Sequence, residues 1–290
     1  MWSRIIERSD VPLGQSLEIV LDKNMRQSIT SSTNPKIKAA SKLRTRRGRK
    51  DQQRTIIDGV REVHRAGQSG FAFEEIYLCE ELLTGEEAAD FGKWIEARPE
   101  LPVFDLPKEM MEKIAFGNRA EGAVAVISYP ERALTEFQTT PTSLIVVVEG
   151  IEKPGNVGAI LRTADAVGAD CVISADGRTD LFNPNAIRAS LGTIFSVPIY
   201  ETTSQLAKQF LREREIQIFA ARVDGSCSYL EANYTGVCAI ALGSEADGLS
   251  DQWTGDGIQK IHLPMRGIAD SLNVSTAAAA LLYEVIRQRG

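Results

Sequence analysis

The second half of the chain alternates short apolar runs with amphipathic segments, and this alternation limits the possible folds most strongly. The run LIVVVEG (144–150) is β-branched and has no polar face, which is typical of a strand buried on both sides of a sheet. Further strands are predicted at 170–174, 216–222, 236–243 and 258–264. Helices are predicted at 156–169, 183–192, 203–215 and 272–289, and an extended segment at 195–200. Strands that alternate with helices in this way predict an α/β domain with a mostly parallel sheet.

The first half predicts a smaller α/β unit with a more mixed pattern. Strands are predicted at 73–82, 101–107 and 122–128, and helices at 35–50, 54–67, 85–99 and 108–116. A polar stretch with two prolines follows and predicts a linker. We therefore divide the chain into an N-terminal extension without periodicity (1–27), the smaller α/β unit (28–128), the linker (129–142) and the larger α/β domain (143–290).

The composition argues against a membrane protein, a zinc protein and a disulfide-stabilised secreted protein. No apolar run approaches the roughly 18 residues of a membrane span, and the N-terminal MWSRIIERSDVPLG lacks the apolar core of a secretory signal. The four cysteines are widely spaced and the chain has only two histidines, a poor supply of metal ligands. These features predict a cytoplasmic protein with reduced thiols and no metal.

A basic stripe lies within an otherwise acidic chain. Residues 36–54 hold nine basic side chains and one acid, a net charge of +8, so the rest of the chain carries −14 of the total of −6. A concentrated stripe attracts phosphates whatever the total charge. The stripe indicates either contact with RNA or DNA, or a solvated helix face.

Three loops after predicted strands carry polar tips. In NVGAILR (156–162), Asn156 is predicted to cap a helix and Arg162 to lie in its second turn. GSEADG (243–248) follows a buried strand, and its glycines allow close approach of a ligand to the backbone. PMRGIADSLNVS (264–275) has more polar residues than one helix cap needs, since either Ser271 or Asn273 alone could cap the last helix. Ligands of open α/β sheets bind beyond the carboxyl ends of strands, so the three loops predict one pocket.

These segments resemble the SpoU/TrmH class of SPOUT RNA methyltransferases. NVGAILRTADAVGA, GSEADG and LPMRGIADSLNVS are similar to the three signature motifs of the class, in the same order, and NPNAIRASLGTIFSVP (183–198) is similar to its intervening segment. The basic region before them resembles the ribosomal-protein-like substrate-binding domain that many members carry. The resemblance implies a parallel-sheet catalytic domain with a C-terminal trefoil knot, a homodimer, S-adenosylmethionine as cofactor, and tRNA or rRNA 2′-O-methylated at a ribose as product.

The resemblance also implies roles for individual residues. The positions that match the catalytic set of the class are Asn156, Arg162, Glu245, Ser271 and Asn273. The positions expected at the cofactor are Gly243, Glu245, Gly248, Leu263, Met265 and Leu272. The basic residues expected to contact RNA are Lys42, Arg44, Arg46, Arg47, Arg49 and Arg188.

The chemistry requires alignment of a 2′-oxygen with a methyl carbon and removal of the hydroxyl proton, without a metal. Arg162 is the base by analogy with the class, but an arginine with a pKa above about 12 accepts protons poorly at neutral pH. Our hypothesis is that Arg162 clamps a phosphate or the ribose, while Ser271, Asn273 or Glu245 orients the hydroxyl. Two other functions stay open: an RNA-binding protein without catalysis, and a nicotinamide-dependent enzyme, which the missing Gly-x-Gly-x-x-Gly fingerprint disfavours.

Overall fold

The computed structural model describes residues 26–116 and 121–290 of the 290-residue chain. The extension predicted over residues 1–27 lies almost entirely outside the described residues. Two sheets organise the rest, a front sheet over residues 27–128 and a rear sheet over residues 144–262. No helix among the described residues is both long and apolar enough to cross a bilayer.

The front sheet has five strands in the spatial order β1-β4-β3-β5-β2. The strands are β1 (Gln27–Ser28), β2 (Arg54–Asp58), β3 (Glu75–Leu78), β4 (Val103–Asp105) and β5 (Ala123–Ser128). The helices are α1 (Pro35–Lys42), α2 (Arg46–Gln52), α3 (Val60–Gln68), α4 (Glu86–Glu96) and α5 (Lys108–Ile114). β5 runs antiparallel to both β2 and β3, while the other pairs are parallel.

Two helix predictions in this unit are wrong in their bounds. The predicted helix 54–67 is a strand followed by a helix, because Gly59 turns the chain at φ +118°, a conformation that L side chains rarely adopt. The basic helix predicted over 35–50 is two helices. Thr45 separates them and caps α2, accepting a hydrogen bond at Oγ1 from the Gly48 amide at 3.1 Å.

The rear sheet has seven strands, all parallel, in the spatial order β10-β12-β9-β11-β6-β7-β8. The strands are β6 (Leu144–Glu149), β7 (Cys171–Ala175), β8 (Ile199–Thr202), β9 (Gln217–Ala221), β10 (Cys227–Ser228), β11 (Cys238–Leu242) and β12 (Ile258–His262). The helices are α6 (Pro154–Ala166), α7 (Pro184–Ala189), α8 (Thr193–Ser196), α9 (Ser204–Glu213) and α10 (Val274–Arg289). The predicted α/β fold with a mostly parallel sheet is therefore confirmed. The trefoil knot stays a prediction.

One segment of the rear unit departs from its predicted structure. Residues 195–200, predicted as extended, begin inside α8, because Gly192 in the left-handed region (φ +83°) starts a short helical turn there. The strand β8 begins only at Ile199. Elsewhere the predicted strands and helices of the rear unit are present with shifted ends. The loops after β6, β11 and β12 consequently share the carboxyl edge of the sheet.

A buried polar junction joins the front unit to the rear sheet. Arg49 of α2 is 2% exposed and forms an ion pair with Asp180, at 2.6 Å between Nη2 and Oδ2. Tyr129 donates its hydroxyl to the other oxygen of Asp180 at 2.7 Å. Thr55 Oγ1 donates to the carbonyl of Phe182 at 2.7 Å. Part of the predicted linker therefore packs into this junction.

Asp58, which lies near Arg188 between the two units, makes the free energy of unfolding depend on pH. Burial raises the pKa of this carboxyl from 3.8 to about 6, although it accepts a hydrogen bond from the Phe116 amide and lies near Arg188. Its Oδ1 is buried and has no hydrogen-bond partner among the described residues. Asp58 therefore weakens the fold once it is ionised.

We expect Asp58→Asn to stabilise the protein above pH 6. Between about pH 4 and pH 6 the folded protein holds a proton that the unfolded chain has released, so the free energy of unfolding falls as the pH rises through this window. The cost at pH 7 is on the order of 3 kcal/mol. Urea unfolding of both proteins from pH 4 to 8 measures it, and parallel stability profiles of the two would contradict the assignment.

Candidate active site

A cavity of about 500 Å³ opens at the carboxyl edge of the rear sheet. The loops after β9, β11 and β12 and the first turns of α10 form its wall. All six positions expected at the cofactor line it: Gly243, Glu245, Gly248, Leu263, Met265 and Leu272. Gly248 adopts φ +66°, and a Cβ on Gly243 would lie 2.0 Å from the Gly248 carbonyl carbon, so this turn needs both glycines.

A chain of hydrogen bonds connects three loops beside the cavity. Asn156 donates its amide to Glu245 Oε1, and Asn273 donates its amide to Asn156 Oδ1 at 3.4 Å. Lys153 Nζ lies 3.9 Å from the same Glu245 oxygen. Three of the five predicted catalytic residues therefore meet in one cluster, which we call the Asn156–Glu245–Asn273 cluster.

The structure corrects the position of Asn156. The helix α6 begins at Pro154, and Lys153 rather than Asn156 is its N-cap residue. Proline is favoured in the first turn because its missing N–H would have no partner there. The Asn156 side chain is therefore not used as a cap and is free to contact Glu245, which also lies near the positive end of the helix dipole.

Asn273 is the residue that caps α10. Its Oδ1 accepts hydrogen bonds from the Ser275 amide at 3.0 Å and from Ser275 Oγ at 2.6 Å. Its Nδ2 faces Asn156, so one side chain serves both the helix and the cluster. The sequence left Ser271 and Asn273 as alternatives for the cap. With Asn273 as the cap, Ser271 is left to line the cavity.

Arg162 stands apart from the cluster. It lies in the third turn of α6, not the second, because the helix starts two residues earlier than expected. Its side chain is exposed and makes no hydrogen bond or ion pair with any residue in the described ranges. Within one copy of the chain, Arg162 is therefore not bonded to the Asn156–Glu245–Asn273 cluster.

The structure divides the residues expected to contact RNA into three groups. Lys42, Arg44, Arg46 and Arg47 are exposed. Arg49 is wrong as an RNA contact, since its guanidinium is buried against Asp180 and donates to the Leu43 carbonyl at 2.8 Å. Arg188 is one-third exposed, donating to the Phe116 carbonyl at 2.9 Å and lying 3.3 Å from Glu121.

Glu149 is a residue that the sequence analysis missed. It ends the buried strand β6 and accepts hydrogen bonds from Ser204 Oγ at 2.6 Å and from the Ser250 amide at 2.6 Å. Ser250 follows the loop that carries Glu245, so Glu149 anchors that loop to the sheet. A carboxylate at the end of an otherwise apolar strand was the available signal. Among the described residues no group of His, Cys, Asp or Glu is arranged to hold a metal.

Comparison with known proteins connects this geometry with a family. The model of the SpoU rRNA methylase family matches residues 143–283, and that of the MRM3-like substrate-binding domain matches residues 34–125. The chain belongs to the SpoU/TrmH family of RNA methyltransferases.

Solved structures and a curated relative agree with this assignment. A crystal structure of an RNA 2′-O ribose methyltransferase is 37% identical, covers 91% of this chain and 99% of its own, and has a TM-score of 0.78. The SpoU methyltransferase AviRb from Streptomyces viridochromogenes, solved with AdoMet, is 25% identical, with 88% and 98% coverage and a TM-score of 0.77. The 23S rRNA (guanosine(2553)-2′-O)-methyltransferase RlmP of Bacillus subtilis is 25% identical over 89% of this chain and 99% of its own.

Proposed function

We propose that this chain transfers a methyl group from S-adenosylmethionine to a ribose 2′-hydroxyl of 23S rRNA. The observation that carries the proposal is the Asn156–Glu245–Asn273 cluster at the edge of a 500 Å³ cavity, in a chain of the SpoU/TrmH family. The choice of rRNA over tRNA rests on relatives such as RlmP, which is named for 23S rRNA.

The cavity suits the cofactor in size and chemistry. Its wall combines apolar side chains such as Leu263 and Met265 with the Gly243–Gly248 turn, whose backbone groups a ligand can approach closely. S-adenosylmethionine supplies an electrophilic methyl carbon when it is bound. Gly243, Gly248, Leu263, Met265 and Leu272 would hold it.

The cluster would position the acceptor ribose. Glu245 is exposed and hydrogen-bonded on one side by Asn156, which leaves carboxylate lone pairs for a hydroxyl proton. Ser271 lines the cavity and supplies a second hydroxyl contact. Together these groups can fix the 2′-oxygen toward the cavity and take up its proton directly or through water.

The active enzyme is a homodimer in our proposal. Large apolar side chains are exposed around the cavity: Val223 is 82% exposed and Ile268 fully exposed. Large exposed apolar side chains near a functional cavity are typical of an interaction surface. A second copy that covers them would also supply an Arg162 to this cluster, since the chain's own Arg162 does not reach it.

The experiment that tests the function is methyl incorporation from labelled S-adenosylmethionine into separate pools of unmodified rRNA and tRNA, followed by nucleoside analysis. We expect a 2′-O-methylnucleoside from the rRNA pool. Label in the tRNA pool alone would overturn the substrate class. Cofactor binding without label in either pool would favour an RNA-binding protein. The cytoplasm, where reduced thiols persist, is the compartment we propose.

We expect the exposed part of the basic stripe to bind RNA backbone. Replacing both Arg46 and Arg47 by glutamine should make the negative slope of log K for RNA against log salt shallower by roughly 1.4 to 1.8, because each lost phosphate contact removes about 0.7 to 0.9. Cofactor affinity should not change. The matched control is Lys93→Gln, an exposed lysine on α4 that is outside the stripe. Equal slopes for all three proteins would show that the stripe is only a solvated helix face.

A further inference from the structure

The cofactor cavity is lined by more negative than positive side chains. Its charged residues are Arg222, Asp224, Glu245, Asp247 and Asp270. Asp224 pairs with Arg222 at 2.7 Å and with Lys260 at 3.3 Å, and the Arg222 hydrogen bond lowers the pKa of Asp224. Two of the other three carboxylates, Asp247 and Glu245, also have partners. Among the described residues, Arg222 is the one guanidinium that lines the cavity.

Asp247 and Glu245 are also partly neutralised. Arg178 Nη1 lies 3.2 Å from Asp247 Oδ2, and Lys153 lies 3.9 Å from Glu245, which also accepts the Asn156 amide. These carboxylates are therefore committed to contacts between neighbouring loops. Neither contributes a full unbalanced charge to the cavity.

Asp270 differs from the other three carboxylates. It is exposed, it lines the cavity, and within residues 26–116 and 121–290 it makes no hydrogen bond or ion pair. It directly precedes Ser271, which lines the same cavity beside the Asn156–Glu245–Asn273 cluster. Asp270 therefore supplies an uncompensated negative charge to the cavity wall, next to Ser271.

Methyl transfer changes the charge of the molecule in this cavity. S-adenosylmethionine carries a sulfonium, an ammonium and a carboxylate and has a net positive charge. The product S-adenosylhomocysteine has a neutral sulfur and no net charge. A nearby carboxylate attracts the sulfonium form more strongly, by an amount that depends on distance and solvent screening.

We propose that Asp270 is a specificity-determining residue that makes the cavity favour the cationic cofactor over the neutral-sulfur product. This inference rests on the proposed function, since it assumes that S-adenosylmethionine occupies the cavity. In this proposal Asp270 attracts the sulfonium of the cofactor. It does not act on the amino-acid end, which cofactor and product have in common. Product loses this attraction when the methyl group leaves, so its release is favoured.

The test is calorimetric binding of three ligands to the full-length protein and to Asp270→Asn. The ligands are S-adenosylmethionine, S-adenosylhomocysteine and sinefungin, in which a carbon bearing an amine replaces the methylated sulfur. We expect Kd to rise about threefold to tenfold for the two ligands with a central cation, and less than about twofold for S-adenosylhomocysteine, given an exposed carboxylate. High salt should shrink the difference.

Asp256→Asn is the matched control, because Asp256 is exposed but does not line the cavity. All three of its affinities should equal those of the wild type. An equal loss for all three ligands in Asp270→Asn would place Asp270 at the shared amino-acid end and overturn the inference, as would no loss at all. Those outcomes leave the function intact if wild-type protein still methylates RNA. A wild-type protein that binds none of the ligands would overturn both.

Discussion

Replacing Asn273 by alanine is expected to slow methyl transfer roughly a hundredfold, the usual cost of removing one positioned hydrogen-bond donor from an active site. The Asn273 amide holds Asn156 at 3.4 Å, and Asn156 in turn holds Glu245. Without the Asn273 amide, Asn156 and Glu245 are no longer held in place to orient the acceptor ribose. A single-turnover rate with saturating cofactor and RNA measures the effect, because it isolates the chemical step.

The same substitution also removes a helix cap, so a second variant is needed. Alanine at 273 should cost about 1 kcal/mol of unfolding free energy, since the Ser275 amide loses its acceptor. Asn273→Ser keeps a capping oxygen and loses only the amide donor. We therefore expect Asn273→Ser to be as stable as the wild type and nearly as slow as Asn273→Ala. A wild-type rate in Asn273→Ser would show that the amide donor is not needed.

Replacing Arg49 by alanine is expected to destabilise the protein by about 3–5 kcal/mol, because it leaves the Asp180 carboxylate buried without its ion pair. Arg49 is 2% exposed, so water cannot compensate for the loss. Tyr129 would still donate to the other Asp180 oxygen but cannot neutralise the charge. Urea unfolding at pH 7 measures the change.

Arg47→Ala is the matched control for Arg49→Ala, because Arg47 lies two residues away on the same helix but faces solvent. The Arg47 side chain is 91% exposed, and its ion pair is with exposed Asp51 at 3.5 Å, so its loss should hardly change stability. The double variant Arg49→Met with Asp180→Leu should be more stable than Arg49→Ala, because no unpaired buried charge remains. Equal stability of Arg49→Ala and Arg47→Ala would contradict the junction we describe.

Much of the rear sheet was predictable because its strands are continuous apolar runs between amphipathic helices. Val146 and Ile240 lie in such runs and are fully buried. The errors fell where one residue decides the backbone path. Gly59 converts a run with helical spacing into a strand and a helix, and Gly192 starts a helical turn that reaches into a segment predicted as extended. Spacing alone does not reveal a positive φ.

The candidate site was predictable as a set of loops but not as a set of contacts. Asn156, Glu245 and Asn273 are far apart in sequence, and parallel strands bring their loops to one edge of the sheet. Their bonding, the separation of Arg162 and the unpaired state of Asp270 depend on side-chain positions. No local pattern encodes these.

The sequence by itself determined the fold class, the family and two of the three loops that form the cavity, because hydrophobic periodicity and short motifs are local properties. It missed the loop after β9, and it placed residues 156–162 on a wall that they do not line. Only the tertiary structure decided which members of the basic stripe face solvent. Arg46, Arg47 and Arg49 are equivalent as letters in one cationic run, yet helix α2 turns Arg49 toward Asp180 and leaves the others outside. A helix distributes neighbouring residues around its axis. The side chains on the packed face of α2 become structural ion pairs, and those on the opposite face stay in solvent, where they can bind a ligand.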